Sequence, residues 1–251
     1  MILRRITSAF RKQDWFTVAI ETLIVVLGVF LGLQVNNWNA AMTDRRLERS
    51  YVSRLIDDLG RSRTQITESN EAMLHHTRGA AVVLRSLSAC AVAQEDQAEF
   101  AFALNGFGKY DLAFLDMTTI NEMTATGRSD VIRNVKLRES ISRLLQQVDY
   151  EQRTDPQIVQ RLVPFVNYVR GKVQFNSEQP SDGFSDDVSY DRMLFDMPDI
   201  CSDPQFRAAV LNGREYEFMV IAWNQHLLAL IDALTEDLKA EAKARGWKER
   251  P

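Results

Sequence analysis

The sequence is poor in the residues that make turns, bridges and metal sites. Six prolines and eleven glycines in 251 residues leave little for the tight turns of a β-sandwich or barrel; with 45% apolar residues, that scarcity points to long helices. Two cysteines and three histidines rule out a disulfide-dense scaffold and provide no Cys/His spacing for zinc. Gly106-Phe107-Gly108 lacks the third glycine and the preceding strand of a phosphate loop. Positive charge is not in excess: thirty Lys and Arg stand against thirty-four Asp and Glu, a net charge of −4. The basic face of a general nucleic-acid binder is therefore missing, and no nucleic-acid partner is expected. No nucleophile, base and orienting group can be grouped from motifs. The chain is not read as an enzyme, and no catalytic residue, cofactor or metal is assigned.

What the sequence does have is one long apolar run, from Trp15 to Trp38. As a helix its 24 residues reach about 36 Å, enough for a hydrocarbon core of roughly 30 Å. Thirteen Leu, Ile, Val or Phe residues lie between Phe16 and Val35. Each favours insertion by about 0.3–0.6 kcal/mol, against roughly 3 kcal/mol for a centrally placed charge, and Glu21 is off-centre. Trp15 and Trp38 stand where interfacial aromatics are expected, with Asn36 and Asn37 beside the second. The run exceeds the apolar core of a signal peptide, and NNWNAAM offers no A-x-A cleavage pattern. Residues 15–38 are therefore read as a retained transmembrane helix, in contact with membrane lipid. Residues 1–14 hold Arg4, Arg5, Arg11 and Lys12 against Asp14, a local charge of +3 that predicts a cytoplasmic N-terminus and an exported C-terminal part.

A helical rotation of about 100° per residue places Glu21, Val25, Gly28, Gly32, Val35 and Asn39 near one line. Gly28 and Gly32 form a G-x-x-x-G pair, which lets two backbones approach closely in lipid. Glu21, Gly28 and Gly32 are the candidate face for association with a second copy or another membrane protein. A carboxylate inside a span marks a partner contact or a proton or ion path, or snorkels to the interface; for Glu21 all three readings stay open.

Residues 39–251 are expected to form one helical domain, giving an all-α chain: a transmembrane helix followed by an antiparallel bundle of long helices. A helix starting near Thr43 and running to about Ser88 buries Val52, Ile56, Leu59, Ile66, Met73, Ala80, Leu84 and Leu87. His75 and His76 on it point about 100° apart and cannot share a metal. Two short helices come next, broken at Asn105 to Gly108 and ended by Gly127. A third starts near Asn134 or Val135, with a kink or break predicted at Pro156. Residues 173–203 read as an irregular loop with eight acids against Arg192, without the spacing of a calcium loop. Asp203 and Pro204 announce the last helix, with a break predicted at Asn212-Gly213, His226 among its apolar residues, and a charged tail from Leu238 fraying into solvent. If the domain is exported, Cys90 and Cys201 are placed to form a disulfide between the first and last long helices, provided these lie antiparallel.

The segments IETLIVVLGVFLGLQVNNWNAAMTDRR and EMTATGRSDVIRNVKLRESI resemble a bacterial family of unknown function. Its members have a basic arm, one span with an early glutamate, an N-N-W-N motif and a helical domain carrying S/T-G-x-x-x-x-I-x-N-x-x-L-R. The likeness rests on Glu21, Gln34, Asn36, Asn37, Trp38, Asn39, Gly127, Ile132, Asn134, Leu137 and Arg138; Thr22 and Ala40 depart from the pattern. In the second segment Gly127 is read as ending a helix, with Thr126 or Ser129 able to cap the turn after it. The resemblance implies architecture and no activity. Together these readings give a single-pass inner-membrane protein with a periplasmic bundle, acting as an interaction, scaffold or sensor-like module. The alternative is an ion-coupled membrane-complex subunit using Glu21.

Overall fold

A computed structural model describes residues 15–108, 115–175 and 189–247, with side chains from residue 20 onward. The basic arm and Glu178, Asp182, Asp186 and Asp187 of the acidic loop lie outside them, as does the side chain of Trp15. The chain divides into two compact units, 1–51 and 52–251, each described by itself.

Helix α1 runs without interruption over Trp15–Ala89, so no new helix begins near Thr43. The stretch from Asn36 to Met42 contains no Pro or Gly, and the Thr43 hydroxyl donates back to the Asn39 carbonyl at 3.0 Å instead of capping a fresh turn. The helix ends at Cys90, whose φ of 50° is left-handed.

In the second unit, α1 is followed by α2 (Gln97–Asn105), α3 (Thr118–Ala125), α4 (Val135–Lys172), α5 (Met197–Ser202) and α6 (Pro204–Ala244). The segment expected to be irregular holds α5 and a small antiparallel ladder, β1 (Gln174–Phe175) with β2 (Met193–Leu194), in register Gln174 to Leu194 and Phe175 to Met193. Side chains fix the direction of the long helices. Arg63 meets Asp232 at 2.8 Å and Arg207 meets Ser88 at 3.0 Å: 25 residues forward along α1 are matched by 25 backward along α6. Tyr168 bonds Asp203 and Tyr216 bonds Asp155, so 13 residues along α4 match 13 back along α6. Helix α6 therefore lies antiparallel to both partners, and the long helices form an antiparallel bundle.

Caps set the starts. The Asn134 side chain accepts from the Lys136 N–H, and that of Asp203 from the N–H groups of Gln205 and Phe206, satisfying donors that an uncapped first turn leaves open. Interior breakers do not stop the helices. Helix α4 continues through Pro156 and Pro164, because Leu144 and Val148 on one side and Leu162 and Val169 on the other are all buried; packing on both flanks outweighs the bonds each proline removes. Helix α6 continues through Gly213, where an added Cβ would sit 2.5 Å from Phe107; the glycine serves close approach. The tail from Leu238 does not fray at once: Leu238 and Ala242 are buried. The helix then closes with N–H bonds from Gly246 to Lys243 and Trp247 to Ala242, Gly246 having φ 65°.

One core cluster joins Val83, Leu87, Phe100, Ile200, Phe206 and Val210, and another joins Met73, Leu162, Tyr216, Val220 and Ile221. Each large side chain so buried contributes roughly 1.5–3 kcal/mol. Of the stripe read in α1, Val52, Leu59, Ile66, Met73, Ala80 and Leu87 are buried, with Leu55 and Val83 added, while Ile56 and Leu84 are half-buried.

Candidate functional site

The most exposed apolar surface is on the N-terminal part of α1. From Leu23 to Val35 every large apolar side chain is 47–65% exposed, and Trp38 is 65% exposed. Soluble surfaces rarely carry so continuous a patch. This part of α1 is long and apolar enough to cross a membrane, and its most apolar 18-residue window is wholly exposed. Helix α6 meets the same test of length and composition, but a third of its window is buried.

Glu21, Asn36 and Asn37 are exposed. A Cβ added at Gly28 or Gly32 would meet nothing within 4 Å, so no contact among the described residues accounts for those glycines. Glu21 is the one ionisable residue between Ile20 and Asn39.

Cys90 and Cys201 form a disulfide, with Cα atoms 5.3 Å apart. It links the end of α1 to α5, two residues before the Asp203 cap of α6.

The segment from Gly127 to Arg138 is a latch at the start of α4. Gly127, at φ 66°, closes α3 with bonds from its own N–H to Thr124 and from the Arg128 N–H to Met123. Neither Thr126 nor Ser129 caps the turn after it: the Thr126 hydroxyl donates back to the Glu122 carbonyl at 2.7 Å, and the 3-10 turn Ser129–Val131 has no side-chain cap. Ile132 and Leu137 are buried, Asn134 caps α4 while its amide donates to Glu241 at 2.8 Å, and Arg138 donates to the carbonyls of Ile132 and Arg133. These are structural roles.

The histidines fall in two places. His75 and His76 both stack on Phe102, at centroid distances of 4.0 and 4.9 Å, and His75 Nε2 lies 3.1 Å from Glu99. His226 is exposed, not a core residue as its apolar neighbours suggested; helical rotation carries it off the stripe formed by Leu227, Ile231 and Leu234. Among the described residues no group of three or more His, Cys, Asp or Glu is placed to hold a metal ion.

Comparison with known proteins returns no matching family model, no similar curated protein and no similar solved structure.

Motif reading missed a buried carboxyl group on α4 and a half-buried one on α6. Asp155 on α4 is 8% exposed and accepts the Tyr216 hydroxyl at 2.9 Å. Glu217 on α6 is pushed up to about 7, chiefly by burial, against the hydroxyl of Thr77 and the charge of Arg214. Their signal was helical phase: each lies within about two turns of core positions, Asp155 near Leu162 and Glu217 near Val220.

Proposed function

We propose that the chain is a single-span membrane protein of the bacterial inner membrane, with its N-terminus in the cytoplasm and its helical domain in the periplasm. It works there as an interaction, scaffold or sensor-like module and not as an enzyme. The observation that carries this reading is the bare apolar length of α1, which a bilayer would cover. The Cys90–Cys201 disulfide supports export, since such bonds persist in oxidising compartments. The resemblance to NNWN-bearing membrane proteins points the same way. The span associates with a second copy or another membrane protein through Glu21, Gly28 and Gly32.

The test is thiol labelling in intact cells with a maleimide that passes the outer but not the inner membrane, with and without prior reduction and with a denatured control. Labelling from outside only after reduction is the expected result. Labelling that requires lysis would invert the topology.

A second reading is favoured by Glu21 being the one acid in the apolar stretch, exposed on the face of Gly28 and Gly32: an ion-coupled subunit whose carboxylate meets a partner's polar path. Glu21→Gln separates the two, because only the second reading expects loss of ion-dependent function while the complex still assembles.

A further inference from the structure

Between α4 and α6 lies a cavity of about 340 Å³, lined by Leu115, Met117, Val148, Val220 and Leu227 on its apolar walls. That volume falls in the range of small-molecule sites. Its polar edge comes largely from one helix face. Glu151 and Asp155 are four residues apart on α4 and both line the space, with Gln152 and Pro156 beside them. Two carboxylates at that spacing are neighbours that repel each other. Among the described residues no Lys or Arg lines the cavity.

Among the described residues each acid accepts one side-chain hydrogen bond. Asp155, nine-tenths buried, accepts one bond at Oδ1, from Tyr216; its Oδ2 accepts none from described residues. Glu151 accepts from Gln147 at 2.7 Å, and burial raises its pKa; the other groups acting on it are Gln147 and the charge of His226. Asn224, 5% exposed, spends its amide on Ser69 at 3.1 Å, leaving its carbonyl oxygen without a described donor. Trp223 completes the wall and stands edge-on to Tyr150.

Two carboxylates on one helix face, an indole wall and an apolar floor define a complementary guest. A neutral hydrocarbon would leave the carboxylates desolvated, and an anion would add repulsion. A divalent metal needs more oxygens than two carboxylates from one helix provide. An ammonium group can donate to Asp155 and Asn224, face Glu151 and stack near Trp223, while its carbon body fills the space toward Met117 and Leu227.

We propose that this cavity binds a small organic cation, a protonated amine on an apolar body. The site lies within residues 52–251 and does not depend on where the chain sits in the cell.

The experiment is calorimetric titration of the full chain in phosphatidylcholine nanodiscs, with empty discs subtracted. The probes are 2-phenylethylamine and 3-phenylpropanoate, which share a ring and differ in charge. The amine is expected to saturate one site and the acid to give no saturable heat; Glu151→Gln and Asp155→Asn should each weaken the amine about tenfold, the loss of one charged contact. Gln152→Lys, at an exposed rim position, should block the amine and raise the melting temperature by placing a tethered cation beside the acids. That variant keeps the test open where Asp155→Asn fails to fold. No saturation by about 10 mM, which corresponds to a Kd too weak for a built site, would overturn the proposal. So would equal binding of both probes, or unchanged amine affinity in Glu151→Gln and Gln152→Lys.

Discussion

Replacing Cys90 and Cys201 together by serine tests the arrangement of the long helices. The bond closes a loop with a sequence separation of 111. In the chain-entropy treatment a loop of that size restricts the unfolded chain by about 4.8 kcal/mol at 25 °C. With a urea slope of about 2 kcal/mol per molar, the midpoint should fall by roughly 2 M. The assay is urea unfolding of the full chain in detergent, followed by the helical signal, with wild type oxidised, wild type reduced and the double variant compared. Reduced wild type and the variant should coincide. Cys90→Gly with Cys201→Ser should recover about 1 kcal/mol, because glycine adopts the left-handed backbone of position 90 without the side-chain penalty. A midpoint shift below about 0.5 M would refute the reasoning, since it would mean that the unfolded chain gains no freedom when the bond is absent.

Single positions supply three more predictions. Gly213→Ala must displace the Phe107 ring and should cost about 1–3 kcal/mol, whereas Gly60→Ala, with nothing within 4 Å, should gain roughly 0.5–1 kcal/mol; paired thermal melts check both. Glu217 is pushed from near 4.5 to about 7, so between those values the folded state holds more proton than the unfolded one and stability falls as pH rises. The loss approaches an upper limit of about 3 kcal/mol above pH 7, and Glu217→Gln should flatten melting temperature between pH 5 and pH 8. Gly28→Leu and Gly32→Leu enter open space in the isolated chain, so they should leave the melt unchanged but lower cross-linking between copies in membranes; undiminished cross-linking would remove that face as the contact.

Legibility in the sequence tracked the length of the signal. The stripe on α1, the start of α4 at Asn134 and the start of α6 at Asp203 were readable because periodicity and caps act over one or two turns. The misplaced breaks at Pro156 and Gly213 share a cause, whereas at Thr43 no breaker is present at all. A local breaker costs a few kcal/mol at most, and buried residues on both flanks, such as Val148 and Leu162, outweigh it. Gly213 reads as a weak point until Phe107 is seen against it. The small β-ladder escaped notice because its two residues per strand carry no period. Glu21, Gly28 and Gly32 were singled out by composition and phase, and the structure shows Glu21 exposed and open space beside both glycines. The cavity was not, since Asp155 and Trp223 come together only when α4 and α6 pair.

The disulfide has a mechanical consequence. Residue 52 and the end of α6 lie at one end of the bundle, as the pairing of Arg63 with Asp232 and Asn134 with Glu241 requires, and the Cys90–Cys201 bond lies at the other. A force applied between residue 52 and the C-terminus would peel α1 from α6 like a zipper, one contact at a time. Peeling would stop at the sulfur bridge, and everything between residues 91 and 200 would carry no tension. Such a domain yields gradually to a pull along that axis and then holds, as a tether with a fixed stop.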